Sequence, residues 1–253
     1  MTFTFRNTWD CNNNGIADDL DIAGGFSDDS NGNGIPDECE CALVAGAAQP
    51  EPNAVARGRY LAFVPGNAGE QTALRVRLVS LPPPFTAANG TTMWVGAAQD
   101  ISEDSGSSGS APPTFKGAAL TCAPLYADWG ALGVLHIYGD AIVPGGEYAV
   151  QAINQACNPV GEPNYSSPLA VTTGTWGDLV GDNNQQPPNG TVNFNDISAI
   201  VDKFKNRPGA PAKSRVDVAP DTPDRIIDFT DIPAVVDAFK GRSYPYDGPA
   251  GCP

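Results

Sequence analysis

The sequence predicts a mainly β protein. A central β-sandwich is flanked by a short acidic loop module at the N-terminus and a small duplicated loop–helix module at the C-terminus. Three observations carry this reading. Residues 42–175 hold their apolar side chains in short alternating runs split by Pro and Gly. Residues 1–41 contain nine acids and one base, too acidic and too short to fold on an apolar core alone. Residues 192–205 recur at 227–240 with eight of fourteen positions identical. The expected units are therefore 1–41, 42–175 and 176–253.

The chain of 253 residues carries 29 Asp+Glu against 14 Lys+Arg, a formal charge of −15. Only 17% of residues are charged, so the imbalance reflects scarce bases, with Asp far outnumbering Glu. Nucleic acid and anionic membrane surfaces are excluded as partners, because both require a basic footprint. Cations are the natural partners of such a surface. The net charge is −8 over residues 1–41, −4 over 42–175 and −3 over 176–253.

Six cysteines (Cys11, Cys39, Cys41, Cys122, Cys157 and Cys252), no CxxC spacing and a single histidine, His136, argue against zinc. They favour disulfides formed in an oxidising, extracytoplasmic compartment. No apolar run approaches the ~18 residues of a membrane span, so no membrane insertion is expected. The start, Met1 to Arg6, lacks the basic and apolar regions of a signal peptide. The expectation is a mature or truncated N-terminus, one segment of a longer reading frame.

Within 1–41, two stretches fit one twelve-residue frame. The first places Asp10, Asn12, Asn14, Asp18 and Asp21 at positions 1, 3, 5, 9 and 12, with Gly15 at 6 and Ile16 at 7. The second places Asp29, Asn31, Asn33, Asp37 and Glu40 at the same positions, with Gly34 and Ile35 between. Calcium takes six to eight hard oxygen ligands; alternating side chains in a tight loop converge on one point, Gly at 6 permits the turn, and the carbonyl at 7 adds a backbone ligand.

No long amphipathic helix flanks either loop, unlike an EF-hand. The motif, with cysteine beside it, resembles thrombospondin type 3 repeats and related calcium repeats of bacterial secreted proteins over about residues 10–41. That resemblance implies a nearly coreless, calcium-wrapped rod or cap whose stability is metal-binding energy. Cys11 and Cys39 are then plausible partners, leaving Cys41 to staple the module to a later segment.

The C-terminal repeat reads as two copies of a loop ending in Asp followed by a helix. Ile197, Ile200, Val201 and Phe204 in the first, and Ile232, Val235, Val236 and Phe239 in the second, fall at i, i+3, i+4, i+7. Pro233 sits in a first helical turn, where proline is tolerated. Asp196 and Asp231 suit helix capping combined with metal ligation.

The pattern resembles a dockerin module, whose two loop–helix copies each hold one calcium. By position, the resemblance implies Asp178, Asp182, Asn189, the Thr191 carbonyl, Asn193 and Asp196 as ligands in the first copy. In the second it implies Asp217, Asp221, Asp224, the Ile226 carbonyl, Asp228 and Asp231. These loops depart from the pattern in being 19 and 15 residues long rather than 12, and Arg225 stands where Gly is expected. A register starting at Asp182 is an alternative for the first. A dockerin implies a cohesin-like receptor; the other reading is that the module caps its own chain. Four calcium ions in all would move the formal charge to about −7, moderate for a soluble domain.

In the middle, Arg59–Val64, Thr72–Val79, Met93–Gly96, Val134–Tyr138 and Tyr148–Ile153 read as strands, and a β-sandwich follows. The segment Ile142 to Ala152, with Ser167 to Thr172, is similar to the last strands of a fibronectin type III domain, where a tyrosine shortly after a Pro-Gly turn ties down a corner. Cys122 and Cys157 are candidates for a bridge within this domain. Ser102 to Thr114 reads as an exposed, flexible loop suited to O-glycosylation. Asn89 and Asn164 stand in glycosylation sequons, a weak signal.

Catalytic signatures are missing. His136 reads as a packed or surface strand residue, no GxSxG, HExxH or P-loop occurs, and sixteen of the 29 carboxylates lie in the metal loops. We expect no enzyme. The leading expectation is a secreted, calcium-stabilised structural or assembly protein of the cell surface or extracellular matrix. It would self-associate into a polymer or filament by strand addition, because Thr2 to Arg6 is a period-two strand with no turn to a neighbour. The alternative is a dockerin-type docking fragment of a larger secreted enzyme or adhesin bound by a cohesin-like receptor. A weaker option is glycan binding by exposed Trp94 or Trp129.

Overall fold

The computed structural model describes residues 10–29, 34–36, 39, 48–52, 55–66, 69–83, 85, 92–155, 157, 164–247 and 252. The strand expected at Thr2 to Arg6 lies outside the described residues, as do Trp9, Asn31, Asn33, Asp37, Glu40, Cys41 and Asn89.

The fold is mainly β, as the strand–turn pattern predicts. In chain order the elements are α1 (Asp18–Gly24), β1 (Ala48–Pro50), β2 (Tyr60–Pro65), β3 (Thr72–Ser80), β4 (Thr92–Val95), β5 (Gln99–Ser102), β6 (Thr114–Thr121), β7 (Leu135–Tyr138), β8 (Glu147–Asn154), β9 (Leu169–Thr172), α2 (Phe194–Phe204), α3 (Lys213–Val216) and α4 (Asp231–Phe239). The strands form one nearly closed sheet in the order β1-β2-β7-β6-β4-β3-β8-β9, with β5 also paired to β6.

The strongest alternation, in β3, makes the longest pairing. It runs antiparallel to β8 from Thr72↔Asn154 to Ser80↔Glu147, with one irregularity between Leu78 and Ser80. Leu74, Val76 and Leu78 of β3 and Tyr148, Val150 and Ala152 of β8 point into the main core, joined by Leu61, Phe63, Leu135, Ile137 and Trp129. Alternate residues share a face. The Trp129 ring is buried, and its Nε1 donates to Thr72 O at 2.7 Å.

Strand β6 is the hinge of the sheet and escapes sequence reading. Its first half pairs antiparallel with β5 and parallel with β7, and its end, Leu120–Thr121, pairs with β4. Small residues allow this. A Cβ on Gly117 would lie 2.2 Å from Ile101 Cδ1. Gly117→Val is therefore expected to destabilise the chain by about 1–3 kcal/mol through overpacking; a urea midpoint within error of the parent would refute it.

The tyrosine expected at the corner is in place. Tyr148 Oη donates to Ala141 O (3.1 Å) and accepts from Val143 N (2.9 Å), and burial pushes its phenol up to about 12. Cys11 is bridged to Cys39, as expected. The Cys122–Cys157 bridge is not formed. Cys122, just past β6, is joined instead to Cys252, which ties the C-terminal tail to the sheet, and Cys157 is disulfide-bonded elsewhere.

The segment Ser102 to Thr114 is exposed from Ser108 onward, as expected, but its first part is anchored to the C-terminal unit. Ser102 and Ser105 are buried, Glu103 receives Lys203 Nζ (2.5 Å) and Lys213 N (2.8 Å), and Ser105 O accepts from Ile227 N (2.8 Å). Composition marks a Ser/Gly segment as mobile, but here the Glu103 carboxylate and the Ser105 carbonyl supply the partners.

α2 and α4 bury Ala199, Ile200, Ala234, Val235 and Ala238 against each other and against Val216, Val218 and Trp176. Of the expected apolar stripe only Ile200 and Val235 are fully buried; Ile197, Val201, Phe204 and Ile232 pack at its margin, and Phe239 is exposed, so the buried face is shifted toward the alanines. Asn193 is the N-cap of α2. Its side chain accepts from Asn195 N, while Asp196 accepts back from Asn193 N.

Candidate metal centre

The oxygen-rich loops share one hydrogen-bonded frame. In all four, the position-1 carboxylate accepts from the N–H at position 6. The pairs are Asp10 Oδ2–Gly15 N (2.8 Å), Asp29 Oδ2–Gly34 N (2.9 Å), Asp178 Oδ2–Gly190 N (2.5 Å) and Asp217 Oδ2–Arg225 N (2.9 Å). The residue at position 6 is left-handed each time, with φ of 89°, 83°, 86° and 65°. Glycine adopts that conformation freely, whereas an L-residue is strained by roughly 1–2 kcal/mol. Arg225 is held there by side-chain bonds to Tyr138 Oη (3.2 Å) and its neighbour's carbonyl, Asp224 O (3.1 Å). The departure at Arg225 thus leaves the frame intact.

At position 5, Asn14, Asn189 and Asp224 accept from the N–H at position 7, of Ile16, Thr191 and Ile226. At position 12, Asp196 Oδ1 accepts from Leu179 N and Val180 N, and Asp231 Oδ1 from Val218 N and Ala219 N. Their Oδ2 atoms accept from Asn193 N and Asp228 N at position 9. In the first N-terminal loop, Asp18 Oδ1 accepts from Cys11 N, and the amides of Asn12 and Asn14 reach Asp21 Oδ2.

Two of the expected residues are not gathered in. Asp182 and Asp221, the position-3 acids, are exposed, with Asp221 3.8 Å from Arg59 Nη2. The register beginning at Asp178 is the one the frame uses, since the buried Asp178, not Asp182, meets Gly190. Among the described residues, cysteine and acid ligand atoms come within 4.8 Å of one another in a group of three at Cys11, Asp18 and Cys39, but those cysteines are bridged and offer no thiolate. The loop carboxylates are instead spread over backbone amides.

The electrostatics single out the second C-terminal loop. Burial pushes the Asp217 carboxyl up to about 8 against the Tyr60 hydrogen bond, with the Asp231 charge adding to the rise; burial also lifts Asp231 to about 6 and raises Asp178. Half-buried Asp228 is lowered by its bonds to Thr230. Such carboxylates are short of positive charge. Asp21 Oδ1 and Asp217 Oδ1 are buried without a hydrogen-bond partner. An orphaned buried oxygen is costly, and an all-oxygen donor set suits a hard divalent cation. The residues fit such an ion.

Sequence reading missed the cations that support these loops. Among the described residues six bases are buried: Arg57, Arg59, Arg75, Lys203, Lys213 and Arg215. Arg215 donates to Leu179 O and Gln186 O of the first C-terminal loop. Arg59 donates to Val218 O and Pro220 O of the second, and Lys213 to Ser107 O and Arg225 O. The available signal was the pair Arg57 and Arg59 in a chain otherwise short of bases.

His136 is buried with Nδ1 2.8 Å from Ser214 Oγ, a serine–histidine pair in form. Ser214 is also buried, and its other partner is the Arg57 guanidinium, so neither access nor an orienting acid is provided. Trp129 and Trp176 are buried and cannot serve as a sugar platform; Trp94 is half-buried beside Tyr165. Among the described residues, no helix is long and apolar enough to cross a membrane. Comparison of the chain with family models, curated proteins and solved structures finds no match.

Proposed function

We propose that the chain is a secreted, non-catalytic structural or assembly protein of the cell surface or extracellular matrix, stabilised by calcium in its terminal loops. The observation that carries this reading is the common frame of the four loops, with buried, partnerless carboxylate oxygens at Asp21 and Asp217. Calcium in each loop would neutralise carboxylates that burial leaves short of counter-charge. The thrombospondin type 3-like and dockerin-like resemblances agree with it. Self-association would proceed by addition of the Thr2 to Arg6 strand to a sheet edge of another copy.

Metal analysis after dialysis is expected to give about four calcium ions per chain. EDTA should lower the melting temperature and open residues 10–41 and 176–253 to protease first. An unchanged melting temperature and protease pattern would sink the calcium reading. Light scattering on chains with and without residues 1–8 tests assembly, and a monomer throughout removes that part.

A second reading, a docking unit for a cohesin-like receptor, is favoured by Phe194 and Phe229, which occupy matching places in the two copies and are 72% and 75% exposed. Phe194→Ser and Phe229→Ser should then abolish receptor capture without changing calcium content.

A further inference from the structure

We propose that the second C-terminal loop is a cation site built by both halves of the chain, in which Tyr60 of the β sheet is a positioning residue for the Asp217 carboxylate. This rests on the calcium reading and says how one of its sites differs from the rest.

Tyr60 opens β2 and is 1% exposed, its ring beside that of Tyr138. Its hydroxyl donates to Asp217 Oδ2 at 2.5 Å, across 157 residues of sequence. The bonds that hold Asp10 and Asp178, the corresponding acids of two other loops, come from amides of their own loops. Asp217 alone among these three is gripped from the sheet. Tyr60 Oη and Arg225 N both fall on Oδ2, which fixes the carboxylate plane and leaves the buried Oδ1 for the ion.

The backbone around the site is held from the same side. Arg59, next to Tyr60, donates to Val218 O and Pro220 O, and Ile227 N donates to Ser105 O. Each flank of the loop therefore bears on the β half. A cation needs its ligands pre-aimed, and an outer partner that orients a ligand typically changes affinity by about 10–100-fold. Filling this loop tightens the junction between the sheet and the helices, and emptying it loosens that junction. Among the described residues, the first C-terminal loop is supported instead by Arg215 from within its own unit.

The test is calorimetric calcium titration of the full chain, with hydrogen exchange over residues 217–231 and at Ser105. Tyr60→Phe, which removes one oxygen, is expected to weaken one site about tenfold and leave the others unchanged. The same variant should lose calcium-induced protection at Ser105 and Ile227. Asp217→Asn should remove that site, and adding Tyr60→Phe to it should change nothing further in the remaining sites. Wild-type affinity at every site in Tyr60→Phe would overturn the proposal while leaving the calcium reading intact. Further weakening in the double variant would mean general loosening and overturn it too. If the parent chain takes up no calcium, both the reading and the proposal fall.

Discussion

Lowering the pH from 7 to 4 is expected to cost the fold roughly 3 kcal/mol through His136 alone. Burial, and secondarily the charge of Arg57, lower this imidazole from 6.5 to about 3. It lies 4.9 Å from the Phe115 ring, with Nδ1 on Ser214 Oγ, while Arg57 donates to the same oxygen and is itself paired with Glu51. The direction follows from which state binds the proton first. The unfolded chain protonates near 6.5 and the folded chain only near 3, so the stabilisation is fully present above 6.5 and is lost as pH falls toward 3.

Ser214 belongs to α3, so acid should open the seam between the sheet and the C-terminal unit before it opens the sheet core. Urea midpoints at pH 7, 6, 5 and 4, in EDTA, for the parent and His136→Asn isolate this contribution, because the carboxylates titrate alike in both. Parallel curves for the two chains would refute it.

What the sequence could and could not reveal follows from where partners lie along the chain. β3 and β8 are legible because their alternation is strong, and α2 and α4 because their apolar periodicity is repeated at a fixed offset. The two N-terminal loops and the Cys11–Cys39 bridge sit within one short segment, where spacing carries the information. β6 is silent because the strand between the two halves of the sheet is built of small residues, Gly117-Ala-Ala, which show no alternation.

The junction is silent for a different reason. Its bonds join side chains to backbone oxygens some hundred or more residues away, as Lys213 to Ser107 O and Arg59 to Pro220 O do. A Ser/Gly segment then looks unstructured although its carbonyls are what the cations bind. The same holds for Cys122, whose partner Cys252 is set by the path of the tail and not by any spacing rule. The candidate loops were thus readable as loops, but their support was not. The acidity of the two C-terminal loops is partly answered by bases buried beneath them.

Replacing Asp231 by Ala is expected to destabilise the metal-free chain by about 3–5 kcal/mol. The side chain is fully buried and takes three backbone N–H groups, from Val218, Ala219 and Asp228, at 3.0 Å each. Deleting it strands the Val218 and Ala219 donors away from water and removes the partner of the half-buried Asp228 donor. Asp231→Asn separates this framework role from metal binding. An amide oxygen can still serve Val218 and Ala219, but its NH2 meets the Asp228 N–H donor to donor, so a loss of about 1–3 kcal/mol is expected.

Both variants should abolish calcium uptake by the second C-terminal loop, because the charge is gone in each. The ranking Ala worse than Asn in EDTA, with equal loss of one ion, is therefore the signature of a carboxylate that is both beam and ligand. If Asp231→Ala melts with the parent in EDTA, the framework role is wrong. If Asp231→Asn retains every ion, the ligand role is wrong. Asp196 makes the matching three bonds, to Leu179, Val180 and Asn193. The same ranking is expected there, since what the 35-residue repeat duplicates is this frame and not merely an apolar helix face.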